Sequence, residues 1–473
     1  MTIDAGEAIA AAGGRTVNGS ALPATFSFAT DTRTLAPGDI FVALRGERFD
    51  GHLYAAEAIA RGAAGVVVDD PSAIPEGAAG IVVADTRAAY LAFAGVARHR
   101  SEARLVAVTG STGKTTTKTF IAQLLERLAE GRKVLATPRN ENNEIGVAKF
   151  LLALPADAAF AVAELGARHY GEIEPLALAA QPEIGVLTNI GEAHLEIFGS
   201  RERLADTKWG LFAGGAAPVL NAADSVSAGR AASLERDVTW FGTSRESLRE
   251  IAGPNDCTVL LLSATEGDAL AVVGAARGPR GTSGLYRAEI SVGGDHNREN
   301  VAAAAAAVIA LGFPALDVAH ALSSLALPPG RYERIALGIF DVIYDAYNAS
   351  ASGTIATLAS FAREPADRRL AVLGSMAELG EDAPALHERV GVAAAHANLD
   401  VLLVGGDFAA DIARGARGAG FDGSRIVTYA GNGGAAAWLR QHARAGDLVL
   451  LKASRKYRLE EIVEELKGTY APS

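Results

Sequence analysis

Residues 109–118 read Thr-Gly-Ser-Thr-Gly-Lys-Thr-Thr-Thr-Lys and follow the apolar, β-branched run Leu105-Val106-Ala107-Val108. A glycine-rich turn between a strand and a helix can aim successive backbone N–H groups at phosphate oxygens. The lysine then supplies a movable positive charge, and the hydroxyl after it a ligand for Mg²⁺. The stretch therefore reads as an ATP site, with Gly110, Ser111, Thr112, Gly113, Lys114, Thr115 and Thr116 around the phosphates. Lys114 would act on the transferring phosphoryl group and Thr115 on the metal. The spacing Gly-x-x-Gly-Lys-Thr is two residues shorter than the general phosphate-loop pattern, which argues against a GTPase or motor of the common kind.

The chain must hold this loop on a folded scaffold, and its 473 residues exceed what one hydrophobic core supports, so about three domains are expected. Apolar residues make up 49% and charged residues 21%, an ordinary globular balance. A net charge of −11 argues against a nucleic-acid partner, which needs a basic face. Cys257 is the only cysteine, so neither a disulfide framework nor a cysteine-based zinc site is available, and the cytoplasm is the expected compartment. The first residues show no basic segment followed by an apolar core. The longest apolar run, Val301 to Leu311, is mostly alanine and too short for a bilayer, so no membrane insertion is expected. A monomer is expected.

Three short β-type runs occupy the first hundred residues: Asp39 to Leu44, Gly65 to Val68 and Gly80 to Val83, with a helical stretch from Leu53 to Arg61. The polar turns at Thr30-Asp31-Thr32-Arg33 and from Arg45 to His52 are either solvated loops or a pocket for a second, anionic substrate. From Leu105 to about Leu327 strands and helices alternate, as in a mostly parallel, doubly wound α/β sheet. The runs Ala159 to Leu165 and Ile184 to Ile190 end in polar residues. Ligands of such sheets lie beyond the carboxyl ends of the strands, which places Glu164, Asn189 and His194 near the phosphate loop. The glycine-rich insert from Gly242 to Gly294 reads as irregular β structure, and Asp295 or Asn297 as a cap for the alanine helix that follows. After Pro328-Pro329-Gly330-Arg331 the pattern restarts, with runs at Phe340 to Tyr344, Leu370 to Leu373, Val401 to Val404 and Leu448 to Leu451. The expected division is 1–103, a small α/β unit; 104–328, the ATPase unit; and 329–473, a Rossmann-like unit.

Taken together the motifs resemble the Mur ligases of bacterial peptidoglycan synthesis, and within them the member that adds D-alanyl-D-alanine to UDP-N-acetylmuramoyl-tripeptide. The resemblance rests on Asp31-Thr32-Arg33, Pro37 to Leu44, Gly46 to His52, Thr109 to Lys118, Asn140 to Gly146 and Glu164 to Ala167. It continues through Thr188 to Leu195, His296 to Asn300, Gly330-Arg331, Asp345 to Ala349, Glu378 to Gly380 and Gly446 to Arg455. It implies an N-terminal domain for the UDP-sugar, a central ATPase and a C-terminal domain for the dipeptide, and ADP-forming amide synthesis through an acyl phosphate. ATP and Mg²⁺, the latter at two sites, are the implied cofactors.

The resemblance also implies residue roles. Glu164 and His194 match positions that hold the second Mg²⁺, and Lys208 a lysine carbamylated to an anion near the metal. Asn297 and Asn300 match positions beside adenine, Asp345 a ribose-facing carboxylate, and Arg331 an arginine brought to the γ-phosphate on domain closure. Lys114, Lys208, His194 and Arg331 form the implied catalytic set. Thr32, Arg33, Arg48, Asn142, Asn143, Tyr347, Asn348, Lys452 and Ser454 form the implied substrate set. The sequence departs from the family pattern in Ser350-Ala351 after Tyr347-Asn348-Ala349, in Ala453 between Lys452 and Ser454, in Ala148, and in Trp209 after Lys208. Another amide ligase of the superfamily, diaminopimelate- or lysine-adding or folylpolyglutamate-like, is the alternative; the N-terminal block argues against the folate type. A silent nucleotide-binding scaffold would lack Lys114, Glu164 or His194, and all three are present. The third residue of the tripeptide stays open.

Overall fold

A computed structural model describes residues 2–18, 22–46, 49–191, 195–246, 256–264, 267–273 and 283–470. Its three principal sheets arise in chain order. The first has five strands in the order Arg15–Val17, Gly80–Val82, Gly65–Val68, Ile40–Val42 and Phe28–Ala29, parallel except for the first pair. The three expected apolar runs form its centre, and Val66, Val67 and Val68 are fully buried, as parallel strands covered on both faces must be. The expected helical stretch is a 3₁₀ turn, Gly51–Tyr54, running into an α-helix, Ala55–Ala60; Asp50 caps the turn through the His52 N–H.

The second sheet has nine strands: Gly284–Ala288, Gly267–Val273, Cys257–Ala264, Thr239–Gly242, Ala217–Asn221, Ile184–Leu187, Arg104–Thr109, Ala158–Glu164 and Lys133–Ala136. From Thr239–Gly242 onward all neighbours are parallel. The strand order reverses around Arg104–Thr109, which is the switch point where such sheets open a crevice for ligands. The insert expected as irregular β structure is β structure in its described residues, but regular: an antiparallel meander that extends this sheet. Its apolar runs, with Val259, Leu261, Leu270 and Val272 on one buried face, specify strands.

Helix Asp295–Ala310 has no side-chain cap: Gly294 precedes it, and the Asp295 N–H donates to Ser360 Oγ from the third sheet's surroundings. The expected capping by Asp295 or Asn297 is thus replaced by a tertiary contact. Residues Val301 to Ile309 are buried on every side between the helix Lys114–Leu128 and the sheet. Alanine there sets a short helix-to-sheet distance, so Ala304→Leu should overpack the interface and cost about 1–3 kcal/mol. A melting curve indistinguishable from that of the unaltered protein would refute this.

The third sheet has six strands in the order Glu333–Ala336, Asp341–Tyr344, Asp447–Lys452, Arg368–Leu373, Val401–Val404 and Ile426–Thr428, parallel after the first pair. Among the described residues no helix is long and apolar enough to cross a membrane.

Candidate active site

Strand Arg104–Thr109 delivers the chain to Gly110, and Gly113 begins helix Lys114–Leu128. Both glycines are required. Gly110 has φ +147° and a Cβ there would lie 1.8 Å from Thr188 Oγ1; Gly113 has φ +80° and its Cβ would lie 2.2 Å from Asn300 Oδ1. Gly113→Ala should therefore strain the backbone by about 1–3 kcal/mol and displace Asn300. ADP binding should weaken with it, and a variant that titrates with ADP as the unaltered protein does would overturn this.

The neighbouring strand end braces the turn. Ser111 N donates to Asn189 O at 2.9 Å, Thr112 N to Asn189 Oδ1 at 3.1 Å, and Thr188 Oγ1 to Thr112 O at 2.6 Å. With those N–H groups engaged, the first turn of the helix remains to face an anion.

Three lysines converge below the loop. Lys114 Nζ donates to Gly110 O at 2.8 Å and to Ser111 O at 3.2 Å, and Lys208 Nζ donates to the same Gly110 O at 3.0 Å. Lys208 comes from helix Arg201–Trp209 and is buried. Burial, then the charge of Lys114, pushes its amine well below the ordinary lysine value. An uncharged amine is what carbamate formation needs. The unusual Trp209 turns away to pack edge-on against Phe212, 5.2 Å between ring centres. Burial also lowers Lys114, with Glu164 opposing and Arg331 reinforcing the shift.

The third lysine, Lys118, was not singled out by sequence reasoning, although it lies one helical turn after Lys114 on the same face. It is buried and donates to Thr137 O at 2.8 Å and Arg139 O at 2.7 Å, and it stands 3.4 Å from Glu164 Oε2. Glu164 ends strand Ala158–Glu164. Its Oε1 accepts from Asn142 Nδ2 at 2.8 Å, while its Oε2 is buried with no hydrogen bond among the described residues. Such an oxygen fits a hard cation. Among the described residues no three His, Cys, Asp or Glu side chains gather in a metal-sized cluster. A cation here would rest on Glu164, the Thr115 hydroxyl and phosphate oxygens, which is how Mg²⁺ is usually held in phosphoryl-transfer sites. His194 and Arg48, both expected at the site, lie outside the described residues.

The third sheet reaches the loop through Arg331, whose Nη2 donates to Thr115 Oγ1 at 3.3 Å while its guanidinium stacks on Tyr347, 4.5 Å from the ring centre. The adenine candidates form a chain. Thr117 Oγ1 donates to Asn300 Oδ1, Asn300 Nδ2 to Asn297 Oδ1, and Asn297 Nδ2 to Gly293 O. Asp345 and Lys452, assigned to different substrates, are brought together as a buried ion pair at 2.8 Å. Asp345 also accepts from Thr357 Oγ1 at 2.6 Å and Tyr332 N at 3.2 Å, and Lys452 donates to Asn348 O at 3.0 Å. Burial raises the Asp345 carboxyl, but Lys452, His296 and Thr357 outweigh it and hold the group below its usual value.

The remaining substrate candidates are distributed. Ser454 Oγ accepts from Ala377 N at 2.9 Å and donates to Ala349 O at 3.3 Å. Asn143 caps helix Glu144–Leu152 through Gly146 N. Thr32 donates to Glu57, and Arg33 is an exposed residue paired with Asp31. Arg87, which sequence reasoning passed over, joins the first sheet's loops to this region: its Nε donates to Arg45 O and its Nη1 meets Glu144 at 3.2 Å. Two departures from the family pattern are absorbed locally. Ser350 caps helix Ala351–Phe361, and the Ala453 methyl fits over Gly374, where a Cβ would lie 2.7 Å away.

A phosphate loop at the switch point of a parallel sheet, completed by an arginine from a second α/β sheet, defines a nucleotide-binding protein of the phosphoryl-transfer kind. The Mur ligase family catalytic domain matches residues 27–103, the Mur ligase middle domain 108–308, and the Mur ligase glutamate ligase domain 330–455. The chain belongs to the Mur ligase family. It is 35% identical over 442 residues to the UDP-N-acetylmuramoyl-tripeptide--D-alanyl-D-alanine ligase of Synechocystis, covering 92% of this chain and 91% of that one. Identity to the Bacillus subtilis ligase of the same name is 33%, covering 93% and 92%. Among solved structures, MurF from Acinetobacter baumannii superposes with a TM-score of 0.82 at 27% identity, covering 99% of both chains. MurF ligase from Thermotoga maritima in complex with ADP gives 0.77 at 27% identity, covering 93% of this chain and 97% of that one.

Proposed function

We infer that this chain is an ATP-dependent, ADP-forming ligase that joins D-alanyl-D-alanine to UDP-N-acetylmuramoyl-tripeptide in peptidoglycan precursor synthesis. The observation that carries the reading is likeness to ligases of that name over nine-tenths of both chains. A carboxylate is too poor an electrophile for an amine, so ATP first converts it to an acyl phosphate, which the dipeptide amine attacks with loss of phosphate. The residues around the loop suit that task. Lys114 would follow the γ-phosphoryl as its charge develops, and Arg331 would add a second positive group from across the Thr115 hydroxyl. Mg²⁺, when bound, would neutralise phosphate charge; Thr115 and Glu164 would hold it, with His194 and a carbamylated Lys208 as further ligands. Asn297 and Asn300 would face adenine.

The proposed division of labour is UDP-sugar binding by 1–103, ATP chemistry by 104–328 and dipeptide binding by 329–473. Action as a monomer in the cytoplasm, where ATP and both substrates are at hand, completes the reading. A coupled assay of ADP release tests it. Turnover should require both UDP-tripeptide and D-alanyl-D-alanine. Steady ATP hydrolysis without them, or none with them, would sink the assignment, and turnover of a UDP-dipeptide with diaminopimelate or lysine would move it to a sibling activity.

A further inference from the structure

We propose that Lys118 is a fixed counter-charge that prevents Glu164 from holding a divalent cation by itself, so that the cation enters only together with nucleotide phosphates. Lys118 is a positioning residue in this sense, acting through Glu164, and the proposal rests on the cation role assigned to Glu164 above.

Lys118 Nζ has three donors and three acceptors around it: the Thr137 and Arg139 carbonyls at 2.8 and 2.7 Å and Glu164 Oε2 at 3.4 Å. The two short bonds to backbone hold the ammonium in place, and its side chain is 4% exposed. It therefore cannot swing into solvent when a second cation approaches the carboxylate. Glu164 is likewise held by Asn142 and is 2% exposed. An ammonium and a divalent ion sharing one buried carboxylate repel by several times the thermal energy even at the strong effective screening found inside proteins. Lys114 and Arg331 both lie within electrostatic reach of this pair and add to the positive side. One carboxylate thus faces three basic groups. That balance favours an anion first, and a metal only when phosphate oxygens arrive to offset the excess.

Mn²⁺ titrated into the full chain without nucleotide, followed by the paramagnetic signal of the free ion, tests this. The unaltered protein should bind weakly. Lys118→Met, which keeps an unbranched side chain one atom shorter and removes charge, should bind at least about tenfold more tightly. Lys118→Arg should stay weak, and Lys118→Met combined with Glu164→Gln should return to weak binding. A loss of mere structural support would loosen the site, so tightening is not expected from it. Absence of tightening in Lys118→Met, or tightening that persists with Glu164→Gln, overturns the proposal. If Lys118→Met is too unstable to titrate, its melting temperature should rise with Mn²⁺ more than that of the unaltered protein; no such excess also overturns it. None of these measurements uses UDP-tripeptide or dipeptide, so failure of the ligase assay and failure here are separate outcomes. With ADP present, Mn²⁺ affinity unchanged by Glu164→Gln would remove the cation role of Glu164 and the proposal with it.

Discussion

Lys114→Ala should lower the rate of ADP release by about 10³-fold while leaving the fold intact. The side chain ends on two carbonyls of its own loop. Gly110 O keeps a partner in Lys208 after the substitution, so the turn loses little. What disappears is the positive group proposed to follow charge on the transferring phosphoryl. Melting temperature within a few degrees of the unaltered protein, together with the rate loss, is the expected pair of results. Collapse of both would make Lys114 structural and remove the central inference.

Lys208→Ala should be nearly as severe for turnover and should leave nucleotide binding in place. If the amine is carbamylated, its loss removes an anion beside the metal, and acyl-phosphate formation suffers while ADP still titrates. A short carboxylate such as formate or acetate should then fill the vacated space and restore part of the rate. The pH dependence has a definite sign. Burial and Lys114 depress the proton affinity of this amine, so it is uncharged and open to CO₂ above its lowered pKa. Acidification through that value protonates it and drains the carbamate. A variant that keeps its rate, or density for an unmodified ammonium in crystals grown with Mg²⁺ and bicarbonate, would refute the modification. The two substitutions are also coupled: removing Lys114 takes away a like charge and should raise the proton affinity of Lys208.

The parts of this architecture that were legible in sequence are those written locally. Parallel strands buried on both faces appear as unbroken apolar runs, which is why Val66 to Val68 and Leu105 to Val108 could be read directly. The phosphate loop is contiguous and its glycines are dictated by conformation. The stretch from Cys257 to Ala288 is legible as β structure, but its regular antiparallel pairing is not, because that pairing joins runs separated by glycine-rich sequence. Lys118 was missed for a different reason. A lysine in the second turn of a polar helix start normally reaches water, and only the carbonyls of Thr137 and Arg139, folded over it, make it buried. Likewise nothing within either segment pairs Asp345 with Lys452; adjacency of the strand before Asp345 and the strand that ends at Lys452 does so. Asn189 was placed near the loop from its strand end, but its use as a brace for two N–H groups is visible only in three dimensions.

The carbonyls of Gly110 and Ser111 also bear on the chemistry of inhibitors. Lys114 already has two neutral oxygen partners within its own loop, so a ligand that enters there must exchange bonds with them. An anionic group can compensate the ammonium for that exchange. An uncharged phosphate mimic would displace one carbonyl or the other and leave the Lys114 ammonium facing a weaker dipole. Neutral compounds should therefore gain affinity at the end proposed for adenine, along Asn297 and Asn300, and lose it when extended into the loop.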